Sequence, residues 1–405
     1  MYNNYIPEKY RIPFEAVAEF EPMYYSCIEC LKGVMWKSST QTFHSDILIW
    51  ASNLSRDLLC GNYRSKGFTH FKILERGKIR DIHAVHISER AVQKSLVANL
   101  LRPIIYPKLI SANCATLPGR GTEYALNRLH EDLRRHLAIH GNKGGILTLD
   151  YHAYYDSVVH DLLIQMLSNI IWDPRALELS IYFINAFANM DASSKKGYNY
   201  KSLSDVEIAM HAKNEDEEYD LEHFGSRGLG LGSEISQITA IYYPTDLDHY
   251  IKEQLKIKGY SRYMDDSYLI HEDLNYLIYC RDIIYDLSAK KGLSFNPKKS
   301  IITPFSSNNS FIFLKKHYHI TDTNKIIVEL SDEAIHKHRQ QLYTQNELLN
   351  NGKMTPKEIY NSFMCWRQSV KNFDSRWSLR TLTNIFINLF GKYMNKDQMK
   401  KLNKI

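Results

Sequence analysis

The run Gly259-Tyr260-Ser261-Arg262-Tyr263-Met264-Asp265-Asp266-Ser267-Tyr268-Leu269-Ile270 constrains the chain more than any other stretch. Two short aromatic and apolar segments flank adjacent aspartates, which predicts a β-hairpin with the acids at its tight turn. Adjacent carboxylates repel, so a chain gains no stability by placing both at a hairpin tip. A divalent cation reverses that balance, because Mg²⁺ takes hard oxygen ligands and needs few of them from protein. An Asp-Asp pair alone is equally compatible with a solvated turn. The metal reading therefore depends on a third carboxylate and a nucleotide pocket upstream.

The third carboxylate is at hand. Gly144-Gly145-Ile146-Leu147-Thr148-Leu149-Asp150 reads as an apolar strand ending in an acid, followed by Tyr151-His152-Ala153-Tyr154-Tyr155-Asp156-Ser157 and a helix from near His160-Asp161. A carboxylate at the end of a buried strand is costly unless it binds something, which makes Asp150 the natural partner of Asp265 and Asp266. Further upstream, Phe68 to Ile82 predicts two strands joined near Gly77, crowded by Lys72, Arg76, Lys78 and Arg80. Cations on one strand face suit a nucleotide triphosphate, although a solvated edge strand protected by lysines has the same pattern.

The rest of the chain is scaffold in this reading. Residues 1–65 look helical, with Ile47 to Leu59 at helical spacing. A helix is expected from Ser88 to Ile105, ended by Pro103 and Pro107. Gly119-Arg120-Gly121-Thr122 opens another with Ala125, Leu126, Leu129, Leu133 and Leu137 as its apolar stripe. Arg227 to Gln237 is glycine-rich and starts a helix running through Ile241 to Ile251, but it lacks the ending of a P-loop. Leu274 to Lys291 looks helical, and Ser310 to Tyr318 looks like a strand. Residues 331–405 are mostly helical and basic, with a capping box at Thr355-Pro356-Lys357-Glu358. Asn214 to Asp220 is an acidic run that reads as a surface insertion, its sign unsuited to a phosphate backbone.

Composition narrows the class. The 405 residues suffice for two or three packed units, and the net charge is +6. The 28 tyrosines suit stacking on bases as well as core packing. No uncharged apolar run is long enough to span a bilayer, and Met1 to Arg11 carries no secretory signature, so a cytoplasmic location without membrane contact is expected. Cys27-Ile28-Glu29-Cys30 has no second pair at zinc-ribbon spacing and is expected to hold reduced, structural thiols.

Taken in order, these motifs resemble those of the reverse transcriptases, particularly bacterial ones related to group II intron and diversity-generating enzymes. Asp150 to Ser157 is similar to that family's first catalytic motif, Gly228 to Gln237 to its glycine-rich motif, and Tyr263 to Asp266 to its aspartate pair. Asn296 to Ser300 and Phe313-Leu314 resemble the two motifs that follow, and Glu75 to Arg80 with Arg120-Gly121-Thr122 match extra N-terminal blocks. The likeness covers about residues 60–330. Two departures stand out: Gly230 and Leu231 replace the frequent Pro and Gln, and Lys315 stands where glycine often follows Phe-Leu. With no recognisable endonuclease domain, the chain looks most like defence-associated, abortive-infection-type enzymes.

The resemblance implies an α+β right-hand polymerase with fingers, palm and helical thumb. Residues 1–143 would form N-terminal helices and fingers, 144–325 the palm with a finger insertion around 175–224, and 326–405 the thumb. It implies an RNA-directed DNA polymerase using two Mg²⁺ ions, with Mn²⁺ as a substitute. Asp150, Asp265 and Asp266 would be catalytic and metal-binding, joined by the Tyr151 carbonyl. Lys78, Arg80, Tyr155, Gly232, Ser236, Gln237 and Lys299 would contact the nucleotide, with Tyr155 against the sugar and Lys299 protonating pyrophosphate. Phe313 and Leu314 would grip the primer. The implied partners are an RNA template, including a dedicated non-coding RNA, the DNA product, dNTPs, and a partner protein or second copy. Alternatives within reach are a retron-type or diversity-generating enzyme, or a maturase-like RNA-binding scaffold with a vestigial site.

Overall fold

The computed structural model describes residues 6–66, 68–75, 78–186, 226–230, 232–370 and 373–403, with the side chains of 67–83 outside that description. The expected acidic insertion at 214–220, the turn at Gly77 and the Leu231 departure lie outside the described residues.

Nine strands are present among the described residues: β1 Phe68–Glu75, β2 Lys78–Val85, β3 Gly145–Asp150, β4 Gly259–Tyr263, β5 Asp266–His271, β6 Ile302–Pro304, β7 Ser310–Phe313, β8 Lys316–Ile320 and β9 Ile326–Glu329. They form a two-stranded sheet β1-β2, a four-stranded sheet in the order β4-β5-β3-β6, and a three-stranded sheet β7-β8-β9. In the central sheet β3 runs antiparallel to β6, with Gly145 opposite Pro304 and Leu147 opposite Ile302. Glycine is required where β3 begins. A side chain at Gly144 would collide with the His271 carbonyl, and one at Gly145 would lie 2.5 Å from the Thr303 carbonyl. Every residue of β3 is buried, as its apolar composition demands.

The chain divides into two compact units. One comprises Met1–Ala125, Leu149–Ser267 and Ile278–Ser300, the other Leu126–Thr148, Tyr268–Leu277 and Ile301–Ile405. The first has a large core in which the helices Phe20–Leu31, Ile47–Leu59, Ile87–Leu96 and Glu234–Tyr242 bury their apolar stripes. In the second, Leu342, Ile359, Phe363, Phe386, Phe390 and Leu402 close a separate core among C-terminal helices. The capping box at Thr355 forms: Thr355 N–H donates to Glu358 Oε2 at 2.8 Å, and Glu358 N–H to Thr355 Oγ1 at 3.3 Å. Cys27 and Cys30 are free and buried, and burial pushes both thiols up to about 12.

Three elements differ from the sequence reading. The helical run ends at Ile105 as expected, but its Val97–Leu101 segment widens into a π-helical turn just before Pro103. The helix after the glycine-rich segment is two helices, Glu234–Tyr242 and Thr245–Glu253, broken at Pro244. The expected single strand from Ser310 to Tyr318 is a hairpin, β7 and β8, turning at Leu314 (φ +47°) and Lys315 (φ +64°). Both turn residues are left-handed, as the tight mirror-image turn of a hairpin requires. Periodicity alone does not reveal such a turn when neither residue is Gly or Asn.

Candidate active site

Asp150 ends β3, and its main chain is fixed from the segment that follows Ser294. Asn296 N–H donates to the Asp150 carbonyl at 2.8 Å, and Asp150 N–H donates to Ser300 Oγ at 3.2 Å. The carboxylate itself is 7% exposed and accepts from the Lys299 ammonium, with Nζ 2.6 Å from Oδ2. On the other side, β4 and β5 form the expected hairpin. Met264 and Asp265 make its turn, Met264 with φ +56°, and Asp266 is the first residue of β5. Tyr151 N–H donates to the Asp265 carbonyl at 3.4 Å.

The hairpin and β3 bring Asp266 into hydrogen-bond contact with Asp150. Burial, followed by the charges of Asp265 and Asp150, pushes the Asp266 carboxyl up to about 7. Lys299 pulls the other way. Burial by itself would lower the Lys299 ammonium, but the bond to Asp150 and the three aspartate charges raise it. Two facing carboxylates, a third next in sequence and one ammonium form a group short of positive charge.

That donor set fits a divalent cation, because hard oxygens that repel each other when ionised are what such an ion stabilises. Among the described residues no three His, Cys, Asp or Glu side chains converge as a ready-made cage. The Asp150–Asp266 pair is preassembled, and Asp265 and Asp266 are both half-buried at the turn.

Tyr154 and Tyr155 lie on a helical turn. Ala153 is left-handed (φ +45°) and Tyr154–Ser157 is helical. The two rings meet edge to face, centroids 6.1 Å apart, but have different surroundings. Tyr154 is buried and its hydroxyl donates to the Ala240 carbonyl at 2.5 Å. Tyr155 is half-buried, and burial followed by the Asp265 and Tyr263 charges pushes its hydroxyl up to about 12. Tyr155 thus stands beside the acids and Tyr154 does not. Tyr151 stacks between Phe295, 4.4 Å away, and Tyr154, 5.2 Å away.

The glycine-rich segment is tied to the same turn. Leu229 N–H donates to the Tyr155 carbonyl at 2.8 Å, and Gly228 N–H to the Val158 carbonyl at 2.9 Å. Gly232 (φ +100°) is exposed, with open space where a side chain would project. Gln237 is exposed as well. Ser236 is fully buried on the packing face of its helix. Ser233, the residue that caps the helix, instead donates to Gln93 Oε1 at 2.8 Å.

Lys78 and Arg80 lie on β2, opposite Glu75 and Ile73, and their side chains are outside the described residues. Phe313 is buried edge-on against Tyr268, with ring centroids 5.2 Å apart, and Leu314 is half-buried in the β7–β8 turn; both belong to the second unit. Sequence reasoning missed Arg262 and Asp248, which meet beneath the paired-aspartate turn. The available signal was a single charged residue in a strand that carries no other.

Residues 66–316 match the family model described as reverse transcriptase (RNA-dependent DNA polymerase). The chain belongs to the reverse transcriptase family. Its α+β architecture is accordingly that of the right-hand polymerases, and its family chemistry is RNA-directed DNA synthesis. No protein of curated function matches the chain. Among solved structures, telomerase from Candida albicans in complex with a TWJ fragment of telomeric RNA is similar, with a TM-score of 0.40 and 12% identity. The alignment covers 84% of this chain and 64% of that one, so the chain spans under two thirds of the telomerase chain's length.

Proposed function

We propose that this reverse transcriptase extends a primer with dNTPs on an RNA template, using Asp150, Asp265 and Asp266 as its metal-holding carboxylates. The observation that carries the reading is the hydrogen-bonded Asp150–Asp266 pair beside the Lys299 ammonium, a buried concentration of negative charge with no evident structural purpose. Two Mg²⁺ ions, replaceable by Mn²⁺, would be held by the three aspartates and the Tyr151 carbonyl, and when bound they would stabilise charge on the attacking and leaving oxygens.

The chain's own groups divide the remaining work. Lys299 supplies a proton to the departing pyrophosphate, from an ammonium already docked on Asp150. Tyr155 lies against the sugar and leaves no room for a 2′-hydroxyl. Lys78 and Arg80 hold the triphosphate, Gly232 and Gln237 line the nucleotide, and Phe313 with Leu314 guides the primer. In this assignment residues 1–143 carry the fingers, 144–325 the palm and 326–405 the thumb. The biological role we infer is antiviral defence; its support is the resemblance in motif order alone.

Primer extension on a defined RNA template with purified protein tests the activity. Mg²⁺-dependent DNA synthesis is expected. RNA binding without extension of any primer, in either Mg²⁺ or Mn²⁺, would instead identify a maturase-like scaffold.

A further inference from the structure

Arg262 sits inside β4, three residues before Asp265, and is 1% exposed. A guanidinium is expensive to bury unless its donors find oxygens. Here they do. Nε–H donates to Asp248 Oδ1 at 2.9 Å and Oδ2 at 3.1 Å. Nη2 donates to Asp248 Oδ2 at 2.6 Å and to the Ile241 carbonyl at 2.9 Å. Nη1 donates to the Met264 carbonyl at 3.1 Å. Asp248 is also 1% exposed and receives the Tyr260 hydroxyl at 2.6 Å.

Buried ion pairs are poor sources of stability, since apolar side chains of similar volume often serve as well or better. The Nη1 bond points to a different purpose. The Met264 carbonyl belongs to the peptide plane that joins Met264 to Asp265. Met264 is left-handed at φ +56°, a conformation that a residue with a Cβ adopts only when its surroundings hold it. The strand beneath cannot slide to relieve the strain. Cys114 N–H donates to the Arg262 carbonyl at 2.8 Å, Arg262 N–H to the Ala112 carbonyl at 3.1 Å, and Ser261 Oγ to that same carbonyl at 2.7 Å.

We propose that Arg262, fixed by Asp248, is a positioning residue that pins the Met264–Asp265 peptide and so aims Asp265 and Asp266 into the site. The inference rests on the assignment of those aspartates as the catalytic carboxylates.

The test uses the full chain and three variants. Arg262→Lys keeps the charge but cannot grip Asp248 with two prongs and reach the Met264 carbonyl together. Asp248→Asn removes the anchor's charge with little change of shape. Tyr260→Phe removes one bond to Asp248 and leaves every contact of the guanidinium in place. Primer extension gives kcat and KM, Mn²⁺ binding is followed by electron paramagnetic resonance, and thermal melting reports folding.

For Arg262→Lys and Asp248→Asn, kcat is expected to fall and the Mn²⁺ Kd to rise, each by about 10- to 100-fold, with KM for primer–template unchanged. Tyr260→Phe is expected to lower the melting temperature and leave kcat and Mn²⁺ affinity alone. If all three variants lose stability while each correctly folded molecule keeps wild-type kcat, the pair is scaffold and the proposal fails. Failure of both Arg262→Lys and Asp248→Asn to fold under any condition overturns it in the same way. Asp265→Asn runs beside them. An active Asp265→Asn enzyme sinks the site assignment itself, whereas an inactive one alongside a fully active Arg262→Lys enzyme sinks only the positioning role.

Discussion

The Tyr154 hydroxyl donates to the Ala240 carbonyl at 2.5 Å, locking one ring of the Tyr154-Tyr155 pair into the core while its neighbour stays half-buried beside Asp265. The two rings therefore have separable jobs. Tyr155→Ala is expected to admit ribonucleotides, raising the rNTP-to-dNTP incorporation ratio by about 10-fold or more, since a vacated steric gate no longer discriminates. Tyr154→Ala is expected to leave that ratio alone and to cost about 3–5 kcal/mol of stability. Single-nucleotide incorporation kinetics and urea melts on both variants check this. An identical ratio in wild type and Tyr155→Ala removes Tyr155 from sugar selection.

That pair also shows what the sequence could and could not convey. Alternation on a strand would give neighbouring side chains different surroundings, and the two rings do have them, though they touch edge to face. The cause is different: β3 stops at Asp150, Ala153 turns left-handed, and successive residues of one helical turn diverge by about 100°. The aspartates were legible because like charges placed together in an apolar context have no structural excuse. Arg262 and Asp248 were not, because their partnership spans 14 residues and two different elements, and no local pattern encodes it. Nor does the glycine-rich motif reveal that helical geometry turns Ser236 toward the core.

The acids themselves predict a conflict between stability and activity. Asp265 stands beside Asp266, whose carboxyl burial and neighbouring charge have already pushed up to about 7. Asp265→Asn removes one repelling charge with almost no change of shape. The variant is expected to lose at least about 10³-fold in DNA synthesis yet to melt no lower than wild type in metal-free buffer. Near-normal Mg²⁺-dependent synthesis by Asp265→Asn would contradict the catalytic assignment; a marked loss of thermal stability would contradict the electrostatic argument.

The β7–β8 turn offers a test of backbone strain. Lys315 holds φ +64° at an exposed position where glycine adopts that conformation without a Cβ penalty. Lys315→Gly is expected to stabilise the second unit by up to about 1 kcal/mol, the relief of strain outweighing the greater freedom of glycine in the unfolded chain. A urea midpoint that falls rather than rises rejects this balance.

His338 links the C-terminal helices to pH. Its ring stacks on Trp366 at 3.7 Å and on Phe363 at 5.9 Å, it is buried, and Nε2 meets no hydrogen-bond partner. Burial lowers the imidazole to about 4, a hydrogen bond with the exposed Gln341 opposing the shift only in part. The unfolded chain takes up this proton near pH 6.5, well before the folded one does. Between those two values the unfolded state binds more protons, so stability rises with pH there. His338 therefore adds no pH-dependent cost above about pH 6.5, and its burial becomes a growing liability as pH falls toward 4. Discounted for partial solvation, the loss is about 1–2 kcal/mol. His338→Phe keeps the stacked ring, removes the unpaired nitrogen and returns Gln341 to water. It is expected to match wild type at pH 7.5 and to exceed it at pH 5. Urea midpoints at both pH values decide the matter, because carboxylates elsewhere titrate equally in the two proteins and cancel in the difference. Parallel pH profiles for His338→Phe and wild type would show that the imidazole is already solvated in the folded state.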